Sequence, residues 1–292
     1  MLMALATSFK RVDAHQHFWR YTDAEFGWIN DGMAVIRRDF LPSDLKPVLD
    51  ESGIHATVAV QARQSLEETE WLLALAKKSP WIEGVVGWVP LIDSDVEATL
   101  EKLASNVQLK GVRHVLQAEA DAYMERADFN SGLRLLRKFA LTYDLLVFEH
   151  QLPAAIALVD RHPDQPIVLD HLAKPRIAAH ELEPWRTNIR ELARRPHVCC
   201  KLSGMVTEAD FTAWTADDML PYIETALEAF GPARLMFGSD WPVCTVASTY
   251  RRWVDTIQRS IESLSQTERD QIVGLTAASF YKLPPAKEHR TS

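Results

Sequence analysis

The feature that most constrains the fold is a regular alternation of β-rich and helical segments along the 292-residue chain. Strands that alternate with helices form parallel sheets, and eight such units without a break in composition close into a barrel. The β-rich runs lie at 11–18, 55–62, 82–89, 107–115, 144–150, 166–171, 197–203 and 234–240. The sequence therefore predicts a single-domain α/β fold, the (β/α)8 TIM barrel, over residues 11–283, with an N-terminal tail at 1–10 and a disordered tail at 284–292.

The segments between the β-rich runs carry apolar residues at helical spacing and recognisable helix starts. Ser65 stands three residues before Glu68, which is the capping-box pattern that begins a helix. A helix is predicted near 42–51 after the first strand, and the last helix is predicted at 267–281. These helices separate consecutive strands, as a parallel barrel requires.

A doubly wound open sheet is the alternative architecture for such an alternation. To bind a nucleotide it would need a glycine-rich turn directly after the first strand. Residues 15–23 follow or end that strand and contain no glycine, and the chain carries neither common phosphate-binding motif. The sequence therefore favours the barrel.

Composition narrows the class of protein further. The formal net charge is −8 at pH 7 and the densest basic patches are arginine pairs, so no nucleic-acid partner is expected. The chain has 3 cysteines, and an odd, small number argues against a disulfide framework. No apolar stretch approaches the roughly 18 residues of a membrane span, and no secretory leader is recognisable. We expect a cytoplasmic monomer or homodimer with no membrane partner.

The connection after the first strand is unusually long for a compact barrel. Roughly 35 residues separate the first two β-rich runs, where a few are usual, and they include Tyr21, Phe26, Trp28 and Phe40. A long aromatic loop that leaves the C-terminal end of a barrel strand is positioned to cover an active-site mouth. The plain alternative is a loop that packs these aromatic rings on the barrel rim.

The stretch VDAHQHFW at residues 12–19 places two histidines one residue apart at the start of the barrel. Alternation of strand side chains puts Asp13, His15 and His17 on one face. Imidazole is the commonest metal ligand and the side chain that titrates near neutral pH. The plain alternative is a pair of core histidines bonded to polar neighbours. Ionisable residues at the ends of other strands are needed to favour a functional site over this alternative.

Ionisable residues also end three other β-rich runs. Glu149 and His150 end the fifth run, Asp170 and His171 end the sixth, and Asp240 ends the eighth. Chemistry in a TIM barrel gathers at the C-terminal ends of the strands. A single ionisable residue at a strand end is commonly a helix cap or part of a rim salt bridge. Ionisable residues at the ends of four strands together predict a common active site.

This arrangement resembles the amidohydrolase superfamily, in which HxH ends strand one, histidines end strands five and six, and an aspartate ends strand eight. The resemblance covers roughly residues 11–281. It implies metal ligands at His15, His17, His150 and Asp240, and catalytic residues at Asp240, His171 and His150. Strand four ends with Arg113 and His114 instead of the lysine or glutamate of two-metal members. The resemblance therefore implies either a single divalent metal ion, zinc, or no metal.

The segments DAHQHFW, GVRHVLQ, VLDHLAKP, CKLSGM and MFGSDWP further resemble the sugar-lactonase branch of that superfamily. The resemblance implies a hydrolase that opens the ring of a sugar-acid lactone, L-fuconolactone or a related aldono-lactone, with Asp240 activating water. Metal dependence varies within the branch, so zinc is expected as an optional cofactor. The alternatives are a zinc decarboxylase or hydratase of an unsaturated acid, and a non-catalytic sugar-binding barrel.

Substrate recognition is predicted from polar and aromatic residues near the ends of strands one to four. A hydroxylated ring needs hydrogen-bonding groups between flat apolar walls. The candidate substrate-binding residues are Trp28, Gln61, Arg63, Trp88, Arg113 and His114, with Ser203 as a further contact. A rim salt bridge for Arg63 and a core position for Trp88 are the plain alternatives.

Overall fold

The computed structural model describes residues 9–285, which contain one sheet of eight parallel strands in chain order. The strands are β1 (Val12–Gln16), β2 (Ala56–Val60), β3 (Ile82–Gly87), β4 (Leu109–His114), β5 (Thr142–Leu145), β6 (Ile167–Leu169), β7 (Val198–Leu202) and β8 (Leu235–Phe237). Backbone hydrogen bonds from Asp240 to His15 and from His17 to Trp241 join the sheet edges just past β8. The predicted (β/α)8 TIM barrel is confirmed, and most of the predicted tails lies outside the described residues.

Helices follow the strands along the chain. They are α1 (Pro42–Ser52), α2 (Leu66–Lys78), α3 (Val96–Ala104), α4 (Ala127–Leu135), α5 (Leu152–Asp160), α6 (Trp185–Ala193), α7 (Ala216–Phe230), α8 (Tyr250–Ser260), α9 (Gln266–Asp270) and α10 (Thr276–Phe280), with the π-helical turn Gln271–Leu275 between the last two. The Ser65 hydroxyl accepts a hydrogen bond from the Glu68 amide and begins α2 as predicted. Within residues 9–285 no helix is long and apolar enough to cross a membrane.

The apolar core leaves one end of the barrel free for polar groups. Val12 and Ala56, the first residues of β1 and β2, pack with Tyr281 in a buried apolar cluster. A larger apolar cluster fills the space between strands and helices. Burial of each large side chain stabilises the fold by about 1.5–3 kcal/mol. The N-terminal strand ends are therefore packed with apolar groups, and the polar interior lies towards the C-terminal ends.

An irregularity in β1 changes which of its side chains face the barrel interior. The Cα partners are Asp13–Thr57 and then Gln16–Ala59, so β1 has one residue more than β2 between the two pairs. This bulge turns His15 inward, whereas the Asp13 carboxylate accepts a hydrogen bond from Tyr250 of α8 at 3.0 Å. The expectation that Asp13 shares a face with both histidines is wrong, because simple alternation assumes a strand without bulges.

Candidate active site

Four ionisable side chains converge at the C-terminal ends of β1, β6 and β8. We call them the His–Asp cluster: His15, His17, His171 and Asp240, all buried. His17 Nε2 lies 3.1 Å from His15 Nε2 and 3.2 Å from Asp240 Oδ1. His171 Nε2 lies 4.0 Å from the same Asp240 oxygen. The structure thus brings together the groups predicted at the ends of strands one, six and eight.

Hydrogen bonding fixes how the His17 ring presents its second nitrogen. Nδ1 of His17 lies 2.8 Å from the carbonyl oxygen of Val60. Because a carbonyl oxygen only accepts, Nδ1 carries the proton, and in the neutral ring Nε2 presents a lone pair. That lone pair faces the Asp240 carboxylate, which also only accepts. A proton or a cation between these two atoms would stabilise the arrangement.

Burial sets the protonation states within the His–Asp cluster. Removal from water lowers the pKa of His171 to about 4 and lowers the pKa of His15 well below its usual value. Burial also opposes ionisation of Asp240, but the neighbouring His171 and His17 rings outweigh it and hold the Asp240 pKa below its usual value. At neutral pH the cluster therefore contains the Asp240 carboxylate and the neutral imidazoles of His15 and His171.

This set of donor atoms fits a divalent metal. Ligand atoms of His15, His171 and Asp240 all lie within 4.8 Å of one another. Neutral imidazole and carboxylate are the ligands that zinc takes in hydrolytic sites. The bond from His17 to the Val60 carbonyl is the kind of outer contact that orients a ring beside a metal.

The backbone around His171 adopts an uncommon conformation. His171, Leu172, Ala173 and Lys174 have φ values of 53°, 51°, 58° and 52°, and Asp240 has a φ of 57°. Left-handed conformations cost L-residues about 1–2 kcal/mol each. Such strain collects at functional sites, where packing maintains it. The left-handed turn after β6 carries His171 into the cluster and Lys174 onto the adjacent wall.

Two glycines allow the close approach of the histidine rings. A Cβ on Gly204, whose φ is +60°, would lie 2.4 Å from Nδ1 of His171. A Cβ on Gly238 would lie 2.8 Å from the Cβ of His15. Real carbon atoms do not approach so closely, so a larger residue at either position would displace a histidine of the cluster.

Gly204→Ala is expected to destabilise the fold and to displace His171. The backbone strain alone costs about 1–2 kcal/mol, and the clash with the ring adds to it. Gly53→Ala is the matched control, because Gly53 is left-handed, with φ 68° and ψ 29°, and a Cβ there would meet only the Arg11 side chain, at 3.7 Å. Chemical unfolding should show a similar loss of stability in both variants, and enzyme assays should show a loss of activity only in Gly204→Ala. Equal activity in the two would contradict this role of Gly204.

A buried ionic network lies directly beneath the cluster. Lys201 of β7 places Nζ 2.5 Å from Asp144 and 2.9 Å from Asp170. The same ammonium group lies 3.1 Å from Nδ1 of His15. The Tyr281 hydroxyl donates to Asp144 at 2.8 Å. Sequence reasoning missed Lys201, although a charged residue two positions before Ser203 in an apolar strand is a signal of a polar interior.

Arg113 of β4 connects this network to the cavity above it. Its Nη1 lies 3.1 Å from Asp170 Oδ2 and 3.4 Å from His15 Nε2. Its Nη2 donates to the carbonyl oxygen of Gln61. Because these contacts fix the guanidinium, Arg113 presents a positive group to the cavity in a single orientation.

A cavity of about 660 Å³ opens above the His–Asp cluster. Three of the predicted substrate-binding residues line it, namely Trp28, Arg63 and Arg113. His17, His171 and Asp240 are at its floor. Trp28 is 45% exposed, so its ring is open to a bound molecule. Cavities of this size hold small organic ligands.

The other three predicted substrate-binding residues lie behind the cavity wall. Gln61 is fully buried and donates to the carbonyl oxygen of Arg113. Trp88 Nε1 donates to Nδ1 of His114 at 3.3 Å, and the His114 ring stacks on Tyr123. These side chains support the wall. Likewise Ser203, predicted as a contact, lies 2.9 Å from Nδ1 of His171 and orients that ring.

His150, predicted as a catalytic residue and metal ligand, is not brought to the cluster. Its side chain is 66% exposed and its nearest acidic partner is Glu149, at 3.7 Å. The physical reason is that β5 ends at Leu145, and the chain then turns into the short 3-10 helix Glu149–Gln151. The predicted fifth strand ran too far, so His150 lies on the rim.

Comparison with known families agrees with this arrangement. The amidohydrolase family profile matches residues 12–283, so the chain belongs to the amidohydrolases. Among curated proteins it is 45% identical to the L-fucono-1,5-lactonase of Burkholderia multivorans, over 96% of this chain and 98% of that protein. It is 36% identical to the L-fucono-1,5-lactonase of Burkholderia ambifaria, with the same coverage of both proteins.

A solved structure shows the same fold over most of the chain. It is a crystal structure of an amidohydrolase from Burkholderia multivorans with bound zinc. The TM-score is 0.90 at 44% sequence identity, over 94% of this chain and 100% of that one.

Proposed function

We propose that this chain is a hydrolase that opens the ring of L-fucono-1,5-lactone or a closely related aldono-lactone to the free acid. The observation that carries the proposal is the convergence of one buried carboxylate and two imidazoles, Asp240, His17 and His171, on the floor of the 660 Å³ cavity, with the buried His15 ring in contact with His17. The names of the two similar curated proteins support the same reaction. Lactone hydrolysis needs a group that moves a proton and a group that stabilises an oxyanion.

Asp240 is the proposed proton carrier. It takes a proton from a water molecule as the water oxygen forms a bond to the lactone carbonyl carbon. It then gives that proton to the ring oxygen as the carbon–oxygen bond of the ring breaks, which yields an aldonic acid. The low pKa of Asp240 keeps it ionised at neutral pH, and His17 Nε2 lies 3.2 Å from the carboxylate.

Arg113 is the proposed partner of the oxyanion, and His171 is a second partner when no metal is bound. Both line the cavity beside Asp240. Arg113 is fixed by Asp170 and by the Gln61 carbonyl, so little reorganisation accompanies the reaction. A lactone is an activated ester and needs less electrophilic help than an amide.

Zinc is the proposed metal, since the donor set fits it and a similar amidohydrolase was crystallised with bound zinc. His15, His171 and Asp240 would hold the ion. When bound there, zinc would polarise the lactone carbonyl and stabilise negative charge on its oxygen.

Metal content is expected to follow these three residues. Wild-type protein purified without chelator should carry about one zinc ion per chain, the stoichiometry of a single catalytic site with three protein ligands and an open fourth position. Asp240→Asn and His171→Asn should lose it, whereas His150→Asn should retain it because His150 is exposed on the rim. Elemental analysis by mass spectrometry measures the zinc content of each protein. Equal zinc in all four proteins would contradict the proposed ligands.

We also propose that the loop after β1 covers the mouth of the cavity. Trp19, Glu25, Trp28 and Met33 of this loop line the cavity, which supports the proposal. The three cysteines are free thiols, which fits a cytoplasmic protein.

The experiment that tests the proposed function is a panel of substrates at neutral pH. Aldono-lactones should release acid, and unsaturated carboxylic acids should release no carbon dioxide. Release of carbon dioxide with no lactone opened would instead support the decarboxylase alternative. Binding of a sugar with no reaction on any substrate would support a non-catalytic barrel.

A further inference from the structure

Two oppositely charged side chains on the cavity wall have no part in the steps above. Lys174 ends the left-handed turn after β6, and Glu208 lies in the connection between β7 and α7. Lys174 Nζ lies 3.7 Å from Glu208 Oε1, and the side chains are 19% and 22% exposed. Both line the cavity that contains Asp240. They are thus mostly buried but reach the space that a substrate would occupy.

The spacing of this pair suits hydroxyl groups. At 3.7 Å the contact is longer than a hydrogen bond, so the ammonium protons and the carboxylate oxygens keep their capacity for other partners. A hydroxyl group both donates and accepts, and bonds to charged groups are stronger than neutral ones. Lys174 Nζ also lies 5.5 Å from the Phe148 ring, which provides an apolar wall beside the pair. Flat apolar walls with a few polar groups are typical of sugar sites.

The other cations of the cavity are already paired with carboxylates. Arg63 forms ion pairs with Glu25 and Glu68, and Arg113 forms one with Asp170. Among residues 9–285, each lysine and arginine on the cavity wall therefore has an acidic partner. A ligand carboxylate would find no unpaired cation on that wall and would meet the negative charge of Asp240. The cavity suits a neutral, hydroxylated ligand.

We propose that Lys174 and Glu208 determine substrate specificity by binding adjacent hydroxyl groups of the lactone, and that their mutual pairing excludes lactones and acids that carry a free carboxylate. This inference rests on the proposed function and deepens it by naming the neutral polyhydroxy lactones as the substrate class. It also gives a reason for product release, because opening the ring creates a carboxylate in a cavity whose cations are paired.

Glu208→Gln tests the inference because it removes one hydroxyl contact and frees the Lys174 charge. For L-fucono-1,5-lactone, KM should rise about tenfold while kcat changes less than about threefold, the pattern of lost uniform binding. Inhibition by L-fuconate, the anionic product, should strengthen about tenfold at constant ionic strength, since a freed buried cation pairs strongly with a carboxylate. Lys174→Met should also raise KM but should not strengthen inhibition by L-fuconate.

Glu228→Gln is the matched control, because Glu228 forms a 2.7 Å ion pair with Arg190 and is 64% exposed. It should leave KM and inhibition unchanged. Unchanged KM and unchanged L-fuconate inhibition in Glu208→Gln would overturn this inference and leave the lactonase proposal standing. A wild-type protein inactive on every lactone would overturn the lactonase proposal. In that case, the increase in melting temperature caused by L-fuconate is compared between wild type and Glu208→Gln. A larger increase in the variant supports the inference, and an equal increase overturns it.

Discussion

Asp240→Asn is expected to lower the rate of lactone hydrolysis by about 10²–10⁴-fold, the usual contribution of a proton-transfer group. The amide cannot take a proton from water, but its N–H group can donate to the lone pair on His17 Nε2, so the contact between the two side chains is kept. The backbone tolerates the change, because Asp240 has a φ of 57° and asparagine accepts the left-handed region better than most residues. Acid release measures the rate, and circular dichroism with chemical unfolding checks the fold.

His150→Gln is the control for the Asp240 variant. His150 is a histidine at the end of the same barrel, but it is exposed and lies outside the described cavity lining. We expect its activity to stay within about twofold of wild type, as for most surface substitutions. Retention of more than a tenth of wild-type activity by Asp240→Asn, with a normal fold, would contradict the assignment of Asp240.

Lys201→Met is expected to lower the free energy of unfolding by about 3–5 kcal/mol, the cost of removing one partner from a buried ion pair. Lys201 is completely buried between Asp144 and Asp170, so both carboxylates would lose their shared cation. His15 would also lose its contact with the ammonium group, and catalysis should fall with stability. Urea unfolding at neutral pH measures the change.

Lys102→Met is the matched control for burial. Lys102 pairs with Glu70 at 2.7 Å, a distance close to those of Lys201, but its side chain is 75% exposed. Exposed ion pairs contribute only about 0–1 kcal/mol. The double variant Lys201→Met with Asp144→Asn should recover part of the loss, because it removes one uncompensated charge. A change below about 1 kcal/mol in Lys201→Met would show that the network does not support the fold.

The barrel was predictable because its signal is repeated and local. All eight strands fall within or close to the β-rich runs, and α1 and α2 lie where the helical spacing predicts them. The bulge in β1 was not predictable, because one extra residue leaves no trace in an apolar pattern. It nonetheless decides that Asp13 and His15 point to opposite sides of the sheet.

The candidate site was predictable where function coincides with strand ends. His15, His17, His171 and Asp240 all follow that rule, and their roles stay predictions. His150 does not, because the end of a strand cannot be located to within a few residues from an apolar run.

The buried ionic network was missed for a different reason. Lys201 pairs with Asp144 across 57 positions of sequence. A sequence pattern shows that a charge lies in a strand but not which distant charge neutralises it.

The His–Asp cluster is proposed to open a sugar-acid lactone, and acid release from L-fucono-1,5-lactone tests that role. Purified wild-type protein and Asp240→Asn are mixed with L-fucono-1,5-lactone at neutral pH, and acid release is followed with an indicator against spontaneous hydrolysis. We expect saturable release by wild type, with kcat/KM in the range of about 10⁴–10⁸ M⁻¹s⁻¹, and release by the variant at least about a hundredfold slower. Acid release by the wild type at the spontaneous rate would contradict the proposed lactone hydrolysis.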